Sequence, residues 1–117
     1  MGYIATELDT SWPLMRTEES SYANLIVDLF RTQYESDFAF CNVGGFRREE
    51  VIPPGYITKL DLQEMQPFAD TTVKLEVSGT IIKDLLENAV SKYENLNGRF
   101  LAVSGLKFAF NPSKPKR

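Results

Sequence analysis

The chain has 117 residues, 43% hydrophobic, 25% charged and 12% aromatic, with a net charge of −3 from 13 basic and 16 acidic side chains. That is one domain's length and an ordinary globular composition, and the acidic balance argues against a polyanion groove, which needs a basic excess on one face. There is no histidine and a single cysteine, Cys41, so Ser-His-Asp and Cys-His catalysis, the usual zinc sites and an internal disulfide are all excluded within these residues.

No apolar run approaches the roughly 18 residues that a membrane span needs. The start, Met1-Gly2-Tyr3-Ile4, has neither the charged nor the apolar region of a signal peptide.

Residues 3 to 17 read as an extended opening segment. Thr17, with Glu18 and Glu19 behind it, predicts a helix start. Tyr22, Leu25, Ile26, Leu29 and Phe30 then recur at helical spacing, which carries that helix to about Tyr34. Phe38-Ala39-Phe40-Cys41 suits a buried strand, ended by Asn42-Val43-Gly44-Gly45, where two glycines permit a tight turn. Pro53-Pro54-Gly55 marks a second turn, and Tyr56-Ile57 a brief strand. Thr58 with Asp61 resembles a capping box for a short helix that ends before Pro67. Val73, Leu75 and Val77 alternate with polar residues as a half-buried strand does.

A further helix carries Ile81, Ile82, Leu85, Leu86, Ala89, Val90 and Tyr93 as a core stripe. Asn97-Gly98 is a turn signal, and Leu106, Phe108 and Phe110 alternate as a last strand. The end from Asn111 to Arg117 has no periodicity and forms a small basic tail with Lys114, Lys116 and Arg117. The pattern predicts one α+β domain with a mixed sheet and packed helices.

Three strings could carry chemistry. Asn42 to Arg47 follows a strand end, where ligand loops gather; its glycines let a backbone approach a ligand, and Arg47 can grip an anion with two donors. The same string also describes a tight turn followed by a surface arginine. Phe68, after the stiff Pro67, could stack on a planar ring or plug the core, and the core is the commoner fate. Arg16 could reach an anion, or pair with Glu18 and Glu19 at the surface. The carboxylates Asp61, Asp70 and Asp84 stand at no catalytic spacing, and no calcium-loop pattern occurs.

The order of motifs says more than any one of them. Leu8-Asp9, Arg16-Thr17-Glu18-Glu19-Ser20 and Asn24-Leu25-Ile26-Val27-Asp28 come first, followed by Asn42-Val43-Gly44-Gly45-Phe46-Arg47, Pro54-Gly55-Tyr56-Ile57-Thr58 and Gln66-Pro67-Phe68. Leu75-Glu76-Val77-Ser78-Gly79, Leu86-Glu87-Asn88-Ala89-Val90-Ser91, Gly98-Arg99-Phe100 and Val103-Ser104-Gly105-Leu106 complete the series. Along nearly the whole chain this resembles the C-terminal domain of 5'-nucleotidases, a family that includes UDP-sugar hydrolases and 2',3'-cyclic-nucleotide phosphodiesterases.

The resemblance implies a nucleoside- or nucleotide-binding domain of a phosphoester hydrolase that is not catalytic alone. Two divalent metal ions and the catalytic residues are expected in an N-terminal metallophosphoesterase domain, and no cofactor is expected here. Asn42, Gly44, Gly45 and Arg47 are expected on the nucleoside, Arg16 as a second polar contact, and Phe68 as one wall of an aromatic clamp. The family has glycine where Val43 stands, which implies a stiffer loop. Its pattern continues past Arg117 with further strands and a Gly-Gly-Asp loop, so a C-terminally truncated domain is expected, with an open sheet edge that invites dimerisation. The family suggests an extracellular, periplasmic or membrane-anchored parent. A fold-retaining interaction module without nucleotide binding is the alternative.

Overall fold

The structure, a computed structural model, describes residues 2–114; Met1 and, from the expected basic tail, Lys116 and Arg117 lie outside the described residues. Its first elements are strands β1 (Gly2–Ile4) and β2 (Leu8–Asp9), then a single helical turn α1 (Trp12–Met15), within the segment expected to be extended. Ser11 precedes that turn and Pro13 stands in its first positions, where a missing N–H costs nothing.

Helix α2 (Ser21–Gln33) begins three residues later than Thr17 predicted. The Thr17 hydroxyl is already committed to the preceding turn, donating to the Pro13 carbonyl at 2.6 Å. Ser20 is extended and accepts the Ala23 N–H at 3.1 Å, so it makes the cap. The buried stripe is Tyr22, Ala23, Ile26 and Val27, while Leu29 stays 54% exposed. The helix is therefore rotated from the expected face of Tyr22, Leu25, Ile26, Leu29 and Phe30 towards Ala23 and Val27.

Those strands are β3 (Ala39–Asn42) and β6 (Leu101–Ser104), antiparallel in the register Ala39 to Ser104 and Asn42 to Leu101, with α2 packed on both. Ser104 is buried and donates its hydroxyl to Asp28 Oδ1 at 2.5 Å, tying ribbon to helix. Gly105 then turns at φ +73, where a Cβ would strike the Asp37 carbonyl oxygen. β3 is only half-buried, with Phe40 40% exposed, because a two-stranded ribbon has one covered face where a buried strand was expected.

β4 (Val51–Ile52) pairs with β2, and β5 (Gly55–Ile57) with β1, both antiparallel. Buried Thr10 extends the β2–β4 pair, its hydroxyl donating to the Glu50 carbonyl at 2.7 Å and accepting the Glu50 N–H at 2.9 Å. The class is α+β as expected; among the described residues the strands form three antiparallel ribbons rather than one mixed sheet. The core gathers Leu8, Met15, Tyr22, Val27, Val43, Phe46, Met65 and Phe100 between α2 and these ribbons.

Two expected strands are absent from the described residues. Val73 and Leu75 are 66% and 72% exposed in an irregular segment, with no ladder partner. Alternation supplies a strand's side chains but not its second strand, and here Lys74 fastens the segment by donating to the Tyr34 and Glu35 carbonyls at 2.8 and 3.0 Å. Leu106 to Phe110 is likewise irregular; Phe110 meets the Tyr93 ring edge-on at 4.9 Å instead of joining a sheet. Helix α4 (Gly79–Val90), capped by Ser78, lies on the surface. Of its expected core stripe only Ala89 is buried, and Ile81 is 54% exposed, because only the helix's C-terminal end reaches the core.

Helix α3 (Lys59–Met65) carries the predicted capping box and stops before Pro67. Asp61 Oδ2 accepts the Thr58 N–H at 2.8 Å and its hydroxyl at 2.6 Å, and Arg48 Nη1 donates to Asp61 Oδ1 at 2.8 Å. The Thr58 hydroxyl, then Arg48, then the Thr58 N–H hold the Asp61 carboxyl well below the usual carboxylate range. An unfolded chain binds that proton more readily, so the stabilisation is complete above about pH 5 and is lost as pH falls below the ordinary value of about 3.9. Thermal melts of wild type and Asp61→Asn from pH 7 down to pH 2.5 are expected to converge as the pH drops. A gap that stays constant with pH would contradict this role.

Candidate functional site

The site grows from the end of β3. After Asn42 the chain makes a 3-10 turn, Val43–Gly45, and buries Phe46 edge-on against Tyr22 at 5.1 Å between ring centroids. The turn is pinned from behind: Val43 N–H donates to the Phe100 carbonyl at 2.9 Å, and Gly44 N–H to the Gly98 carbonyl at 2.8 Å. Val43 itself is buried in the core, so it anchors the loop.

Gly44 and Gly98 meet backbone to backbone. A Cβ on Gly44 would lie 2.8 Å from the Gly98 oxygen, and one on Gly98 would lie 2.7 Å from the Gly44 Cα. Both are nearer than real Cβ contacts, and neither neighbour is a side chain that can swing away. Gly45 differs, since a Cβ there would meet nothing within 4 Å. Asn42 is exposed, its amide nitrogen 3.5 Å from the Gly98 carbonyl, at the limit of a hydrogen bond.

Arg47 leaves this turn with its backbone N–H on the Met65 carbonyl at 2.8 Å, which ties the loop to the end of α3. Its side chain folds back, Nη1 donating to the Gly44 and Phe46 carbonyls at 2.6 and 2.8 Å. The guanidinium carbon stands 4.9 Å from the Phe68 ring centroid and 5.9 Å from that of Trp12. Arg16, the C-cap of α1, covers Trp12 at 4.9 Å and donates from Nη1 to the Leu96 carbonyl at 3.0 Å. Phe68 is 53% exposed, so the commoner core fate is not the one it takes.

The charges sort sharply. Arg48 pairs with Glu50, Asp61 and Glu64. Among the described residues neither Arg16 nor Arg47 has a carboxylate at ion-pair distance, so Arg16 does not pair with Glu18 or Glu19. No group of three His, Cys, Asp or Glu side chains among the described residues could hold a metal ion. Burial, and then the charge of Asp70, raises the pKa of the Cys41 thiol above its ordinary value.

Arg16, Arg47 and Phe68 thus come together, with Asn42 and Gly45 on the adjoining loop, while Gly44 is enclosed by Gly98. Sequence reasoning missed Trp12, which joins the two arginines. The available signal was a lone tryptophan next to a proline, four positions before an arginine on the same turn.

An α+β domain bearing an open aromatic ring and two guanidiniums with no acid partner among the described residues has the equipment for recognising an anion attached to a planar ring. A family model for the 5'-nucleotidase C-terminal domain matches residues 2–117. The trifunctional nucleotide phosphoesterase protein YfkN of Bacillus subtilis (strain 168) is 31% identical over 114 residues, 94% of this chain and 8% of that protein. An apyrase of Aedes aegypti is 33% identical over 121 residues, 100% of this chain and 21% of its own length. Among solved structures, a 5'-nucleotidase precursor from Thermus thermophilus is similar with a TM-score of 0.86 and 38% identity, over 95% of this chain and 22% of that one. The chain belongs to the 5'-nucleotidase C-terminal domain family. It spans between 8% and 22% of the length of these relatives.

The two glycines of the turn make separable predictions. Gly44→Ala is expected to lower unfolding free energy by about 1–3 kcal/mol, because backbone must move to admit the methyl group. Gly45→Ala is expected to stay within about 0.5 kcal/mol of wild type. Urea denaturation of the two variants measures the difference, and equal losses would refute the close approach.

Proposed function

We propose that this domain recognises the nucleoside or nucleotide substrate of a 5'-nucleotidase-type phosphoester hydrolase. The observation that carries the reading is the convergence of Arg16 and Arg47, uncompensated by any carboxylate among the described residues, beside the half-exposed ring of Phe68. Buried or paired arginines need no ligand. Two guanidiniums left without an acid attract an anion, and the donors for it are the Nη2 groups of both and Nε of Arg47, which bind no carbonyl, since Nε of Arg16 is buried.

In this reading Arg47 and Arg16 bind oxygen atoms of the substrate, and Phe68 offers its exposed surface to the base. Asn42 adds an amide that both donates and accepts, and the open backbone at Gly45, next to the fixed Gly44, allows close approach. Phosphate-ester cleavage would fall to an N-terminal metallophosphoesterase partner domain, where two divalent metal ions would supply Lewis-acid chemistry. This domain contributes by holding the leaving nucleoside in line, so that the reaction gains from orientation rather than from a catalytic group here. The names of the relatives, a nucleotide phosphoesterase, an apyrase and a 5'-nucleotidase precursor, support the same substrate class.

A fold-retaining interaction module is the second reading, favoured by the exposed Val73, Leu75 and Ile81. A titration of backbone amides with adenosine, AMP and inorganic phosphate separates the two. Shifts confined to Asn42–Arg47 and Phe68, larger for AMP than for phosphate, are the expected result, and no shift at millimolar ligand would favour the module. Arg47→Ala is expected to weaken AMP binding roughly tenfold or more while costing the fold only about 1 kcal/mol. Phe68→Leu is expected to weaken adenosine by about 1–3 kcal/mol and leave phosphate unaffected.

A further inference from the structure

We propose that Trp12 is a positioning residue of this site, a spacer whose indole holds Arg16 and Arg47 together for one anionic ligand. The ligand part of this inference rests on the recognition reading above; the stack itself rests on geometry.

Two guanidiniums without a carboxylate partner repel, and long arginine side chains drift apart when nothing holds them. Here they form a sequence of alternating partners: Arg16 on Trp12 at 4.9 Å, Arg47 on Trp12 at 5.9 Å, and Arg47 again on Phe68 at 4.9 Å. A cation over an indole face is attracted by the ring's negative quadrupole, and tryptophan is the strongest of the aromatic residues in this respect. One indole therefore offsets the repulsion of both charges while adding no acid that would neutralise them. A carboxylate in that position would also hold the arginines, but it would cancel the charge a ligand is to meet.

The fold is arranged to keep the spacer still. Trp12 opens α1 and Arg16 caps it, four residues on and over the same face. Each guanidinium is also held by backbone, Arg16 by the Leu96 carbonyl and Arg47 by the Gly44 and Phe46 carbonyls. Trp12 Nε1 and Arg16 Nε are buried without a hydrogen-bond partner among the described residues, as are Tyr22 Oη and Arg99 Nε elsewhere.

The test compares Trp12→Leu and Trp12→Phe with wild type in the 117-residue chain. The arginine Nε–Hε resonances report the stack through ring-current shifts and relaxation, and AMP titration reports the consequence. In wild type the Arg16 and Arg47 signals are expected to be displaced and rigid. In Trp12→Leu they return towards free-arginine positions, and AMP binds about tenfold more weakly; Trp12→Phe retains much of both, with a loss of roughly twofold to threefold. Unchanged arginine signals and unchanged AMP affinity in Trp12→Leu would overturn the proposal. If the leucine variant does not fold, the phenylalanine variant with arginine signals identical to wild type overturns it as well.

The two readings fail separately. Arginine signals that collapse in Trp12→Leu, in a protein whose wild type ignores AMP, uphold the stack and reject the substrate. AMP bound at Asn42–Arg47 with equal affinity in both proteins upholds recognition and rejects the spacer. Trp12 is the chain's one tryptophan, so its emission during the AMP titration gives an independent reading of the same contact.

Discussion

Two glycine backbones, Gly44 and Gly98, lie closer than any side chain at either position would allow, and the candidate site depends on that contact. The β3–β6 ladder brings the two strand ends together, and the Val43 and Gly44 N–H bonds to Phe100 and Gly98 carry the pairing beyond the last strand residues. The chain must then turn within Val43–Gly45, which sends Phe46 into the core and Arg47 out of it. The loop on the other side of the contact holds Leu96 at φ 48, and its carbonyl receives Arg16. A single close approach thus fixes the origin of one arginine and the anchor of the other.

Neighbouring residues show how placement decides what a charge is for. Arg48, at φ 93, faces Glu50, Asp61 and Glu64 and is spent on closing the 47–50 turn against the capping box of α3. Arg47, one residue earlier, faces an indole, a phenyl ring and carbonyl oxygens. Carbonyls and aromatic faces orient a guanidinium without cancelling its charge, whereas carboxylates do both. The net charge of −3 gives no hint of this, since it sums over a surface on which acids and bases are sorted residue by residue.

Local chemistry was legible in the sequence, and pairing was not. The Thr58–Asp61 box and the stop before Pro67 are decided within a few residues, and both were read correctly from spacing. Thr17 looked like a helix start because nothing in the pattern reveals that α1 has already taken its hydroxyl; Ser20 could be recognised only once that turn was known. Val73 to Val77 and Leu106 to Phe110 have a strand's alternation, but a strand also needs a neighbour, which periodicity cannot supply. At the site, the resemblance drew attention to Arg16, Arg47 and Phe68, and the structure gathers them. Trp12 escaped because only Arg16 lies near it in sequence, whereas Arg47 sits in a loop far along the chain, so that no short window of sequence holds the whole stack.

The site has one firm side and one lightly held side. Arg16, Trp12 and the Asn42–Arg47 turn are bound through backbone carbonyls, a strand ladder and the buried residues Val43 and Phe46. Phe68 stands in the irregular segment that runs to the start of α4, where Val73 and Leu75 are exposed and Lys74 supplies the tie to the end of α2. Segments with little buried apolar surface open at low free-energy cost. Under the recognition proposed above, the arginines would fix where the anion sits, while the aromatic ring could settle on whichever planar group accompanies it. Such a division favours tight discrimination at the charged end of a ligand and tolerance at the ring. The Phe68 ring, with the guanidinium of Arg47 over it, is the point at which the firm and the lightly held sides meet.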